Sequence, residues 1–363
     1  MQRDEPPGVG LPIVPLRLLA ANIDMNHPLP SNGRIELQFD RLLQPLSVIR
    51  QTFVLEDIGM TTAFTPTIAY DPVARIVTIT PLTDVNQVLK PDQTYELIIT
   101  TPKDRADVNG LRAIDGALLE APSFRTIAFK VTDPLPSPPT TVSIDFCRDI
   151  YPIFSQKCSL SPCHLGPSAN DKTTPMTAAG LALDPPSFIA GTALGRVAQG
   201  ANTGARSVAA APSLLFGEDM PIIDPTGNPS NSWLMYKILL ATPTPDPIVE
   251  AGADATEGEP EAGGADAGMF DAGGRDGEAG SDGEASDGGV VKTPPVVIPP
   301  IDVSHVHSLP WTTDFSDDRA VLSNYVLGRE MPYPGFTAPL TPDQLERVSL
   351  WIAEGAAAPA ACK

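Results

Sequence analysis

Polar and apolar positions alternate with a period of two through the first third of the chain. Arg34-Ile35-Glu36-Leu37-Gln38-Phe39 places every second side chain on one face, the pattern of a half-buried strand. Thr52-Phe53-Val54-Leu55, Ile76-Val77-Thr78-Ile79, Tyr95-Glu96-Leu97-Ile98-Ile99 and the stretch from Phe124 to Val131 carry the same signal. Turn residues separate them: Ser31-Asn32-Gly33, Tyr70-Asp71-Pro72, Lys90-Pro91-Asp92, Asn109-Gly110 and Asp115-Gly116. About seven short strands at this spacing predict an all-β sandwich over residues 14–132. No cluster of polar side chains suited to catalysis occurs in it, and His27, between Asn26 and Pro28, reads as a loop residue.

Beyond residue 132 the period changes. Asp133-Pro134-Leu135-Pro136-Ser137-Pro138-Pro139-Thr140 reads as a stiff, extended linker. Phe146, Ile150 and Phe154 then recur every four residues, a helix face that Pro152 is expected to end or kink unless it lies in the first turn. Near the far end, Thr341 is placed as an N-cap, Pro342 at the first helical position and Gln344 as the partner in a capping box. Leu345, Val348, Trp351 and Ile352 form one face of that helix, and Gly355 stops it. Trp233 and Trp351 read as core residues. Residues 141–363 thus form a mostly helical second domain.

Charge changes the picture at one place. Of the net −20, the segment from Asp246 to Asp287 carries −12, with 13 acidic residues and one Arg. Residues 242–292 are rich in Ala, Gly, Asp and Glu and too poor in apolar side chains to offset their chain entropy. They read as a disordered acidic insertion in the helical domain. The acidic balance excludes nucleic acid as a partner. No apolar run approaches the ~20 residues that span a bilayer as a helix.

The candidate chemistry lies in Cys158-Ser159-Leu160-Ser161-Pro162-Cys163-His164. Two cysteines with a histidine directly after the second is the order by which c-type haem is attached, although four residues rather than the usual two separate the thiols. A second axial ligand is sought among the methionines. Met331, held between Glu330 and Pro332, is the first candidate, and Met220, also followed by a proline, is its rival. Other readings of the motif are a Cys158–Cys163 disulfide without cofactor and structural zinc, for which Cys158, Cys163 and His164 give three ligands and no evident fourth. His305 and His307 read as surface residues, with substitution for Met331 as the lesser alternative.

Two resemblances bear on these patterns. Ile35 to Arg41 with Leu46-Ser47-Val48, then Val77 to Pro81, Leu89 to Tyr95 and Asp115-Gly116, resemble the bacterial Ig-like domain of the SbsA type. That resemblance implies a spacer or adhesion module of exported proteins. Phe146 to Phe154, Cys158 to His164, Gly180 to Asp184, Asn228 to Lys237, Met331-Pro332 and Leu350 to Ala356 resemble cytochrome c-like domains of exported proteins in Gram-negative bacteria. It implies one covalently attached haem c, with Cys158 and Cys163 as thioether residues, His164 as proximal and Met331 as distal iron ligand. Cys147 and Cys362 flank that domain outside the motif and are paired as a disulfide tying its ends.

The expected protein is therefore multidomain: an N-terminal Ig-like sandwich and a C-terminal cytochrome c-like domain. Its expected work is one-electron transfer with an unidentified redox partner, without catalysis, in the periplasm or on the outer cell surface with possible envelope association. Met1 to Pro7 is not an export signal, so a leader is expected to have been trimmed or to lie upstream. The alternative is a cell-surface structural or adhesion protein with disulfides and no haem.

Overall fold

A computed structural model describes residues 14–58, 63–81, 88–103, 107, 109–120, 126–136, 143–160, 163–166, 180–198, 216–217, 219–244, 316–326, 330–333 and 335–362. The fold is mixed, with the described strands in the N-terminal part and helices following. The acidic insertion from 245 onward, His305, His307 and linker residues 137–140 lie outside the described residues.

Nine strands are described: β1 (Leu18–Ala21), β2 (Leu29–Pro30), β3 (Ile35–Phe39), β4 (Phe53–Asp57), β5 (Ala63–Phe64), β6 (Thr67–Asp71), β7 (Ile76–Thr80), β8 (Thr94–Ile99) and β9 (Thr126–Thr132). They form a four-stranded sheet of order β1-β3-β7-β6 and a five-stranded sheet of order β2-β9-β8-β4-β5. Pairings are antiparallel, except that β2 runs parallel to β9. Register follows the alternation. Ile35, Leu37 and Phe39 of one sheet share a core with Phe53, Leu55, Tyr95, Leu97 and Phe129 of the other. Seven of the nine strands have four or more residues. β2 and β5 have two each, too few for alternation to mark them.

β3 departs from the half-buried expectation: all five residues are buried. It is an inner strand, paired along both edges with β1 and β7. Glu36 survives there because Arg34 Nε is 3.1 Å from its carboxylate, yet burial still raises its pKa.

The helical part begins with a continuous turn-after-turn segment, 146–158, in which α1 (Tyr151–Ile153) is flanked by wider π-type turns. Pro152 does not break it: it stands in the first turn of α1, the one place where the sequence expectation allowed it. A proline removes one N–H from the i→i−4 ladder, and the shift to i→i−5 bonding on both sides accommodates it. Asp145 caps the start, accepting from the N–H of Arg148 at 2.8 Å. Then come α2 (Ile189–Thr192), α3 (Trp233–Leu239), α4 (Ser316–Tyr325) and α5 (Pro342–Ala353). The capping box of α5 is formed in both directions, Gln344 N–H to Thr341 Oγ1 and Thr341 N–H to Gln344 Oε1. Segment 146–158 meets α5 through Phe146, Phe154 and Trp351, whose ring centroids lie 5.5–6.4 Å apart.

Three sandwich residues, Leu42, Val73 and Ile114, are buried in the core of the helical part. The two parts are thus packed against each other through apolar side chains.

Candidate functional site

Segment 146–158 ends by presenting Cys158 to a loop closed by main-chain hydrogen bonds. Ser159 N–H donates to Phe154 O at 2.9 Å, Cys163 N–H to Leu160 O at 2.5 Å and His164 N–H to Cys158 O at 3.1 Å. The loop is pinned from outside by Leu183 N–H on His164 O (2.9 Å) and Gly166 N–H on Asp184 O (2.7 Å). A Cβ on Gly166 would stand 2.7 Å from Asp184 O, so this close approach needs glycine. Tyr151 OH donates to Asp184 Oδ1 at 2.9 Å and fixes the same segment to the helix; that bond raises the phenol's pKa.

Cys158 and Cys163 are free thiols, each partly exposed, and Cys158 packs against the helical core. Burial, followed by the neighbouring Cys163, pushes the Cys158 thiol up to about 12. It is protonated at neutral pH and a poor nucleophile. His164 is buried, and its Nδ1 donates to Leu181 O at 3.1 Å, which fixes the ring's tautomer. Met331 is partly buried against the same core, with its N–H on Lys237 O at 3.3 Å. Met220 is a core residue, 2% exposed, whose carbonyl accepts from Ala198 N–H. Cys147 and Cys362 form a disulfide with Cα atoms 5.4 Å apart, bonding the first turn of segment 146–158 to the chain beyond α5.

Around that disulfide lies a charged clip. Asp149 accepts from Arg148 Nε and Nη2 at 3.0 and 2.8 Å and from Arg347 Nη1 at 3.2 Å. The Arg148 hydrogen bonds hold its pKa below the ordinary carboxylate value, although burial acts the other way. Glu354 Oε2 accepts from Ile144 N–H at 3.1 Å and closes the other side.

A second polar cluster, which the sequence did not single out, lies where the sandwich meets the helices. Asp318 of α4 accepts at Oδ2 from Leu42 N–H and from Arg75 Nη2, both at 3.0 Å. The Arg75 and Asp318 side chains are 4% and 7% exposed, so this ion pair is buried. Asp71 Oδ1 accepts from Ser349 Oγ of α5 at 2.7 Å, and Asn228 Oδ1 accepts from Tyr70 N–H at 3.3 Å. Tyr70 OH accepts in turn from Leu43 N–H at 2.9 Å. The turn signal at Tyr70-Asp71-Pro72 marked the place where these residues sit; partners more than 150 residues away carry no local signal.

The expectations of haem binding, metal binding and electron transfer do not stand. Among the described residues no group of three or more His, Cys, Asp or Glu side chains could hold a metal ion, which also removes the zinc reading of Cys158, Cys163 and His164. Among the described residues no helix is long and apolar enough to cross a membrane.

No protein-family model matches the chain, and no curated protein matches it. Solved structures similar to it include surface layer protein SbsC, domains 1–6, at 18% identity, with 37% of this chain and 15% of that one covered and a TM-score of 0.25. The N-terminal part of the bacterial S-layer protein SbsC is similar at 18% identity, 37% and 26% coverage and a TM-score of 0.25. The chain therefore spans about a quarter or less of these proteins' lengths.

Proposed function

We propose that this chain is a structural protein of the cell surface, in which an Ig-like sandwich and a helical part act as one non-catalytic spacer or adhesion unit. The observation that carries the reading is the Cys147–Cys362 disulfide. Such bonds persist in oxidising, extracytoplasmic compartments and are rare in a reducing cytosol. The resemblance of residues 14–132 to Ig-like modules of exported proteins points the same way. A protein that works by shape also has a use for the tight union of its two parts, through Leu42, Val73 and Ile114 and the Arg75–Asp318 pair.

The test is made on protein exported from a host able to mature c-type cytochromes. Intact cells labelled with a membrane-impermeant amine reagent should yield labelled protein, and the purified chain should be colourless, with Cys147 and Cys362 joined in the peptide map. A pyridine haemochrome band, or protein reached by the reagent only after lysis, would overturn the reading.

A further inference from the structure

The two thiols of the Cys158–His164 segment have no part in the function proposed above, and the backbone brings them together. Cys158 ends segment 146–158, and its carbonyl accepts from His164 N–H at 3.1 Å. That bond spans the whole loop: it joins the carbonyl of the first cysteine to the peptide N–H directly after the second. With standard backbone dimensions the two Cα atoms then lie within about 8 Å of each other. Inside the loop Cys163 N–H donates to Leu160 O, a turn that reverses the chain. A disulfide joins Cα atoms usually about 4.4–6.8 Å apart, so closure through sulfur asks little of this backbone. The Cys163 sulfur is near enough that its charge, after burial, opposes ionisation of the Cys158 thiol. The two settings differ. Cys158 packs against the helical core at the C-terminal end of a helical segment, where the carbonyl ends disfavour a negative charge. Cys163 lies in the loop and is partly exposed.

We propose that Cys158 and Cys163 are a reversible thiol–disulfide exchange site, which a small-molecule disulfide closes into an intramolecular bond, with Cys163 attacking and Cys158 resolving. Cys163 gives up its proton, and its thiolate attacks one sulfur of the donor to form a mixed disulfide. The donor's other sulfur leaves with the bonding electron pair and takes up a proton. Cys158 then loses its proton and attacks the Cys163 sulfur, and the second donor sulfur leaves as a thiol in its turn. In sum two protein thiols are oxidised and one donor disulfide is reduced to two thiols. A protonated Cys158 is a slow nucleophile toward a free disulfide. The same sulfur held beside the mixed disulfide acts at high effective concentration. Closure adds a covalent link to the hydrogen bonds that tie the end of segment 146–158 to His164, Gly166 and residues 181–184. The supply of a donor rests on the extracytoplasmic location proposed above. The exchange itself is a property of the purified chain, so failure of one leaves the other standing.

The test uses the full chain, reduced under native conditions, exposed to oxidised glutathione and peptide-mapped at intervals. Wild type should join Cys158 to Cys163, losing both thiols without keeping glutathione, and dithiothreitol should return them. Cys158→Ser, which lacks the resolving sulfur, should retain glutathione on Cys163. Cys163→Ser should take up glutathione more slowly, at Cys158. Closure should also raise the hydrogen-exchange protection of the His164 amide, whose bond to Cys158 O lies across the ring, and leave Leu97 in the sandwich unchanged. Wild type that keeps both thiols free, carries glutathione on both, or joins either to Cys147 or Cys362 overturns the proposal, and these outcomes need no variant to fold. Faster uptake by Cys163→Ser than by Cys158→Ser overturns the assignment of roles.

Discussion

Arg75 stands at a backbone φ of 58°, in the left-handed region, while its guanidinium lies buried against Asp318. Few non-glycine residues hold such a conformation, and here two acceptors, Asp40 O and Asp318 Oδ2, fix the side chain that requires it. Removing the cation and leaving the carboxylate isolates a buried charge. Arg75→Met should therefore cost about 3–5 kcal/mol of unfolding free energy near neutral pH. Chemical denaturation at two pH values checks the cause: the loss should shrink near pH 5, where Asp318 takes up its proton. Asp149 behaves in the opposite sense. Its pKa is depressed by Arg148, so its contribution is present above the ordinary carboxylate range and is lost as pH falls below it. Arg148→Ala should accordingly weaken the acid sensitivity of the helical part, measured as the difference in melting temperature between about pH 5 and about pH 3.

At the scale of elements, α5 is the part most clearly announced by its residues. Thr341, Pro342 and Gln344 satisfy the first-turn N–H groups locally, and Leu345, Val348, Trp351 and Ile352 bury one face, so nothing distant is needed to start or orient the helix. Thr341→Ala should cost about 1 kcal/mol, within the roughly 0.5–2 kcal/mol range of N-caps, by thermal melting. Gly227 lets a separate loop approach the end of α5. Its φ is +92°, and a Cβ there would approach Ala353 O to 2.9 Å, so Gly227→Ala should lower the melting temperature measurably while leaving the sandwich core protected from exchange. β3, β4, β7, β8 and β9 were legible from the same kind of local signal, whereas β1 and β6 were not read as strands, the end of β6 falling in Tyr70-Asp71-Pro72, which reads as a turn. β2 and β5 were not, because two residues carry no period. Pro152 was legible only as a condition, that it disturbs the helix unless it falls in the first turn. A proline that should interrupt a regular helix is absorbed by widened turns held in place by the packing of Phe146, Phe154 and Trp351, which no window of sequence contains.

For the whole molecule, the Cys158–His164 segment was prominent in sequence because its residue types match a known chemistry. The structure gives two of those groups a local setting: the Cys158 thiol packs against the core, and His164 donates to a carbonyl of the adjoining loop. The junction was invisible for the opposite reason. Asp318, Ser349 and Asn228 are ordinary polar residues until folding carries them onto Leu42, Asp71 and Tyr70. The stability of the assembled chain rests in part on its covalent closure. Replacing Cys147 and Cys362 by Ser should lower unfolding stability by about 5 kcal/mol on the loop-entropy model, an upper figure that residual structure reduces. Denaturant titration of the oxidised and reduced chain gives the same comparison without mutation.

That closure also decides how the molecule would carry a load. The bonded sulfurs stand 215 positions apart along the chain, so a pull applied on either side of them travels through one S–S link and leaves the intervening polypeptide slack. The described helices between the two sulfurs are thereby taken off the line of tension. Stretching would spool out the sandwich and no more, until a reductant cuts the bypass.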